Sequence, residues 1–219
     1  MANIAPLRVA SELPSIPEES QFISLVPRSL IKIFPKGIAR GSIAEIYGPR
    51  SSGRLSLCLQ ILAQATVQSE VCAVIDLYDS FSPVCAASAG VRLEKLVWVR
   101  SRGNAEHAIR AADLLLHAGG FGVVLLDLCE ANARILNRIP LSYWYRFRRA
   151  IEHTPTILLV CADSIQARSC SNNQLQLKPN VFHWAGTALH RLLRGLEVNA
   201  ILRKGTVVRP ESLFLKMSA

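Results

Sequence analysis

The chain has 219 residues and a mass of 24.0 kDa, with 50% hydrophobic and 19% charged residues, which suits one large globular domain and excludes a disordered chain. No apolar run reaches the ~20 residues of a membrane span, and the opening segment lacks the basic start and apolar stretch of a secretory leader, so a cytoplasmic protein with no membrane partner is expected. The net charge of +9 comes from 25 basic residues, only six of them Lys, against 16 acidic ones; such an Arg-rich balance points to an anionic partner such as nucleic acid.

Residues 1–28 read as an arm or linker, punctuated by Pro6, Pro14 and Pro17 and carrying Glu18 and Glu19, and residues 29–219 read as the folded core. A short helix is expected within 23–39, ahead of Pro35 and a turn at Gly37. An apolar strand over 43–47 then runs into Gly48-Pro49-Arg50-Ser51-Ser52-Gly53. A helix follows to about residue 68, with Leu55, Leu57, Cys58, Ile61, Leu62 and Ala65 at helical spacing. Strand, glycine-bounded loop and helix form the arrangement in which backbone N–H groups cradle phosphate oxygens. Gly48 and Gly53 keep that arc. Arg54, however, stands where a Lys should reach the β- and γ-phosphates, and Leu55 where a hydroxyl should hold Mg²⁺.

Strands and helices then alternate. Strands are expected over 71–76, 96–99, 123–126 and 156–161, and helices over 83–89, 104–117 and 140–152. Asn104 caps the second helix, Gly119-Gly120 break it, and Pro140 opens the third. Asp127 closes the strand at 123–126, where an acid would face the hydration shell of a nucleotide-bound metal. Beyond residue 180 the texture becomes β-like, with strands over 189–193, 197–203 and 212–215 separated by turns at Arg194-Gly195 and Lys204-Gly205. The expected fold is α/β: a mainly parallel twisted sheet with helices on both faces and an antiparallel C-terminal edge.

Six cysteines, at 58, 72, 85, 129, 161 and 170, form no CxxC pair. Cys72, Cys129 and Cys161 lie in or beside apolar strand-like runs and Cys58 within a helical pattern, so they read as small buried hydrophobes of a reducing compartment rather than disulfides or metal ligands. His107, His117, His153, His183 and His190 show no ligand spacing. Tyr143-Trp144-Tyr145-Arg146-Phe147-Arg148-Arg149 interleaves aromatics with arginines. Trp144, Arg146, Arg148 and Arg149 are therefore candidates for stacking bases and binding phosphates, or for gripping a protein partner, against the plainer reading of an amphipathic helix. Arg191, Arg194, Arg203, Lys204 and Arg209 make a second basic stripe, of which Arg203 and Lys204 are the candidate contacts.

Residues 41–54 resemble the phosphate-loop region of the RecA recombinase family, in which Lys and Thr close the loop. Cys72-Ala-Val-Ile-Asp76 is similar to that family's second strand, Ser82-Pro83 with Ala89-Gly90-Val91 to the segment after it, and 198–203, Lys204-Gly205 and Pro210 to its closing strands. The resemblance covers 29–219 and is strongest over 37–100. It implies a RecA-like phosphate-loop core whose site, Gly48 to Leu55 with Asp127, is degenerate. The family's water-activating Glu falls on Tyr78, which is no carboxylate base at neutral pH. Its adenine-contacting Asp and Tyr fall on Ser82 and Cys85, and its γ-phosphate-sensing Gln near Ala162 or Asp163. The resemblance therefore implies no catalytic residues, no required cofactor, and at most weak binding of ATP, ADP or phosphate.

The segment between Asp127 and Pro140 looks trimmed, and that through Ser169, Ser171, Asn172 and Asn173 lacks glycine, where RecA proteins carry DNA-binding loops. A core so degenerate and short resembles ImuA-type proteins, accessory factors of error-prone translesion synthesis induced in the SOS response. That implies a Y-family polymerase homologue, a DnaE-type polymerase and RecA as partners, with single-stranded DNA as a further one and the nucleoid as a further location. Two alternatives are a working DNA-dependent ATPase that uses Arg54 and Ser56 as substitutes, and a protein-binding regulator of cell division or of a checkpoint.

Overall fold

The computed structural model describes residues 21–23, 31, 33–187, 190–204 and 210–216. Its centre is an eight-stranded sheet built from β3 (Ile43–Tyr47), β4 (Cys72–Asp76), β5 (Leu96–Arg100), β6 (Val123–Asp127), β7 (Ile157–Ala162), β8 (Asn173–Ala185), β9 (Leu192–Lys204) and β10 (Pro210–Lys216). The strand order is β10-β9-β8-β3-β7-β6-β4-β5. The pairings from β8 through β3 to β5 are parallel, while β9 adds antiparallel to β8 and β10 antiparallel to β9, the fold class expected from the alternating apolar runs.

Those runs are continuous because both faces of the sheet are covered, and the strand period of two divides them cleanly. Ala44, Ile46, Val74, Leu125 and Leu159 face one core, filled by Leu57, Cys58, Ile61 and Leu62 of helix α1 (Arg54–Val67). Ile43, Ala73, Ile75, Val124 and Val160 face the other, filled by Ala108, Ile109 and Leu116 of α3 (Ala105–Ala118) and by Trp144, Phe147 and Ile151 of α5 (Leu141–Ile151). The short α2 (Pro83–Ser88) starts at Ser82, whose hydroxyl accepts the Cys85 N–H at 3.3 Å. Asn104 caps α3 by accepting the His107 N–H at 3.1 Å. The segment before α5 holds one further short helix, α4 (Ala133–Leu136), capped by Asn132. None of the described helices is long and apolar enough to cross a membrane.

Three local expectations need correction. Residues 173–185, where no strand was expected before the β-like texture beyond 180, form the long strand β8, because Leu175 and Leu177 alternate with polar neighbours and drop into the α1-side core. Arg194-Gly195 is not a turn. Gly195 lies inside β9, where its bare Cα leaves room for the Phe214 ring across the ladder, so a glycine read as a breaker serves close approach. The direction instead reverses after β8 at Gly186 (φ +100°). Within 23–39, Ile31 and Ile33 are helical, but β1 (Phe22–Ile23) pairs antiparallel with β2 (Ile38–Ala39). Ile23 is fully buried, so core packing reaches into the segment read as an arm; the rest of that arm, and the turn at Lys204-Gly205 beyond residue 204, lie outside the described residues.

Candidate functional site

β3 delivers the chain at Tyr47 to the loop, and α1 starts at Arg54. Both loop glycines are demanded by packing. A Cβ on Gly48 would collide with the carbonyl oxygen of Leu177 in β8, and one on Gly53 with the Leu215 side chain of β10. Gly53 is also the N-cap of α1 with φ +81° and no side-chain capping bond, a left-handed conformation that glycine adopts without strain. Leu215 and Leu196 are buried, so the antiparallel tail packs against the rim of the phosphate loop. Pro49, Arg50 and Ser51 are exposed, Ser52 is buried, and Arg50 pairs with Glu130 at 3.1 Å.

Arg54 does not point to open solvent. It is 6% exposed, and its guanidinium donates to the carboxylate of Asp163, just past the end of β7. Burial works against its charge, and the Asp163 hydrogen bond with neighbouring groups more than offsets this, leaving its pKa raised. Asp163, itself 41% exposed, also accepts the Glu130 N–H at 3.3 Å. Arg54, at the family's Lys position by resemblance, and Asp163, at or next to the position of its γ-phosphate-sensing Gln, thus satisfy each other. Leu55 packs partly into the core and offers no oxygen to a metal.

Asp127 sits at the end of β6 beside Asp76 at the end of β4, and both are buried. Asp127 accepts from the Ser80 hydroxyl at 2.9 Å and the Cys129 N–H at 3.0 Å. Asp76 accepts from the N–H groups of Ser80 and Phe81, each at 3.0 Å, and from the Trp98 indole at 3.3 Å. Asp76 and Ser80 were not singled out from the sequence as site residues. The one available signal was that both acids end apolar strands. Tyr78 is 41% exposed and brings no carboxylate. Asp79, its neighbour, is engaged bidentately by Arg100 at 2.8 and 2.9 Å. That pairing holds its carboxyl below the ordinary value, so it is no free base either.

A cavity of about 470 Å³ opens beside the loop, floored by Ser51 to Ser56, Asp127 and Cys129 and walled by Phe182, Trp184 and Leu193. The larger cavity, of about 580 Å³, lies elsewhere, among Arg102, Asn104, Ile135, Arg138 and Tyr143, and holds none of the phosphate-loop residues.

The aromatic–arginine helix divides as an amphipathic helix does. Trp144 is 1% exposed and packs edge-on against Phe147 at 5.8 Å. It is therefore withdrawn as a contact for DNA or a partner, since helical spacing turns it into the core. Arg148 and Arg149 are exposed, and Arg146 donates to Asp113 of α3 at 2.7 Å. Arg203 on β9 donates to Gln176 of β8 at 3.0 and 2.9 Å. Lys204 ends β9, with its side chain outside the described residues, as is Arg209.

The RecA N-terminal domain model matches residues 31–135. Protein RecA of Laribacter hongkongensis (strain HLHK9) is 40% identical over 95 residues, which cover 43% of this chain and 27% of that protein. The chain thus spans little more than a quarter of that relative's length. The crystal structure of the RadB recombinase superposes with a TM-score of 0.65 over 90% of this chain and 96% of that one, at 15% identity, which speaks to the fold alone. Residues 31–135 thus match the RecA N-terminal domain, and the fold, a mainly parallel sheet extended by antiparallel strands, is that of a RecA- and RadB-like core.

Proposed function

We propose that this protein is a non-catalytic RecA-like factor of the DNA-damage response, an accessory to error-prone translesion synthesis or recombinational repair in the cytoplasm that acts by binding proteins and DNA. The observation that carries the reading is the internal pair of Arg54 and Asp163. Phosphoryl transfer needs a cation on the γ-phosphate, a metal held by a hydroxyl and an acid, and a positioned water. Here the cation is neutralised by the protein's own carboxylate, Leu55 supplies no metal ligand, and Tyr78 supplies no base. What remains is a helix N-terminus and loop N–H groups, suited to weak phosphate, ATP or ADP binding indifferent to Mg²⁺. By their resemblance to ImuA-type proteins, its partners are a Y-family polymerase homologue, a DnaE-type polymerase and RecA, and the exposed Arg148 and Arg149 offer a face for single-stranded DNA.

Two measurements on the full chain test this. Phosphate release from ATP, with and without single-stranded DNA, should stay at background, and co-expression with the two polymerases should yield a co-purifying complex. Mg²⁺-dependent turnover that disappears in Arg54→Ala would replace this reading with an active ATPase. Background turnover with neither polymerase retained would remove the accessory role.

A further inference from the structure

Cysteines that lie far apart in the sequence converge in the fold. Cys129, two residues past the end of β6, and Cys161 of β7 hold their Sγ atoms 3.2 Å apart. Asp127 completes the group: one ligand atom from each of Asp127, Cys129 and Cys161 lies within 4.8 Å of the others. Cys161 is buried, while Cys129 is half-buried and lines the cavity beside the phosphate loop, which gives a small ion a way in.

We propose that Asp127, Cys129 and Cys161 form a site for a thiophilic divalent cation, zinc foremost, whose fourth position faces the cavity beside the loop. Four-coordinate zinc with Zn–S bonds of about 2.3 Å sets neighbouring sulfurs roughly 3.8 Å apart. The pair at 3.2 Å reaches that spacing by opening about half an ångström. A disulfide, with sulfurs about 2.04 Å apart, demands a larger displacement the other way. Thiolates with a single carboxylate select zinc over magnesium or calcium, which require oxygen shells. Ser80 and the Cys129 N–H already orient the Asp127 carboxylate, as outer partners of a metal ligand do. Such an ion ties the end of β6 to β7 beside the loop. The site stands independently of whether nucleotide is hydrolysed.

The test uses the full chain, reduced, stripped with a chelator and titrated with zinc chloride alone. Atomic emission should find one zinc per chain, and cobalt substitution should give a thiolate-to-metal charge-transfer band with tetrahedral d–d absorption. Free zinc about 100-fold above its Kd should raise Tm by roughly 5–10 °C. Cys129→Ser, a small change at a half-buried position, should weaken binding by at least about 10-fold, whereas Cys85→Ser, at an exposed thiol outside the group, should not. If Cys129→Ser fails to fold, Asp127→Asn with the wild-type cobalt spectrum serves as the readout, and loss of binding in that variant supports the site equally. Absence of zinc uptake, a cobalt spectrum without thiolate character, or uptake abolished by Cys85→Ser would each overturn it. So would a Cys129–Cys161 disulfide whose reduction restores no metal binding.

Discussion

The pairing of Arg54 with Asp163 makes an asymmetric prediction about stability. Arg54 is 6% exposed and Asp163 41%. Removing the acid strands a buried cation, whereas removing the cation leaves an acid that water already reaches. Stranding a fully buried charge costs about 3–5 kcal/mol. Discounting for the half-open side of the pair, where solvent screens it, leaves about 1–3 kcal/mol for Asp163→Ala. In a chain of this length that is a fall in Tm of roughly 3–10 °C. Arg54→Met, which keeps the apolar stem and drops the charge, should cost under about 1 kcal/mol, and the double variant should recover most of what Asp163→Ala loses. Urea unfolding of the four proteins, with m-values compared to establish that only the midpoint moves, measures the cycle. An Arg54→Met loss larger than that of Asp163→Ala, or a double variant no better than Asp163→Ala, would refute the reasoning. Arg54 would then be held by something other than Asp163.

Other outcomes follow from single contacts. Gly53→Ala should destabilise by about 1–3 kcal/mol, from its positive φ and its collision with Leu215, and Leu215→Ala should relieve part of that cost in a double-mutant cycle; strict additivity would separate the two residues. Arg100 holds the Asp79 carboxyl below its ordinary value of 3.8, so the pair's contribution is present above that pH and lost as pH falls through the folded value. Asp79→Asn should therefore flatten the acid limb of the stability curve, and an unchanged limb counts against it. Burial pushes the Cys72 thiol from 9.0 to about 12. Between those values the unfolded chain releases a proton that the folded one keeps, so stability should fall as pH rises from 9, less steeply in Cys72→Ala. Replacing Arg146, Arg148 and Arg149 by Ala should reduce the salt slope of single-stranded DNA binding by up to about two; an unaltered slope assigns these arginines elsewhere.

The parallel half of the sheet was legible because burial on two faces writes itself as unbroken apolar runs, and each such run became a strand within a residue or two. β8 was not, since a strand covered on one side and partly open on the other alternates Leu175 and Leu177 with polar residues, and that signal is short. Gly195 was misleading for a related reason. A glycine in a strand has the same letter whether the chain bends there or an aromatic ring lies over it. In the site, the changed identities at 54, 55 and 78 could be read directly and that near 162 or 163 to within a residue, but their mutual geometry could not. Arg54 and Asp163 lie 109 positions apart, and only the parallel placement of β7 beside β3 brings them together.

That placement gives the altered loop a physical rationale. A phosphate loop without its ligand leaves a cation, a set of N–H donors and a glycine rim beside an open cavity. In this chain the cation is matched by Asp163, and the rim is packed by Leu196 and Leu215. The acid that would face the metal's water is hydrogen-bonded to Ser80 and Cys129. Each of these contacts satisfies, within the chain, a group that a bound nucleotide would otherwise meet. Their joint consequence is measurable: ATP should raise the melting temperature of this protein little, with or without Mg²⁺, because stabilisation by a ligand grows only as RT ln(1 + [L]/Kd) and the strongest phosphate contact is already taken. Asp163→Ala frees that contact, so the variant, though less stable, should gain more from millimolar phosphate or ATP than the parent does. A parent protein that ATP and Mg²⁺ stabilise by several degrees, and a variant that gains nothing further, would mean that the loop still holds nucleotide and that Asp163 does not compete for Arg54.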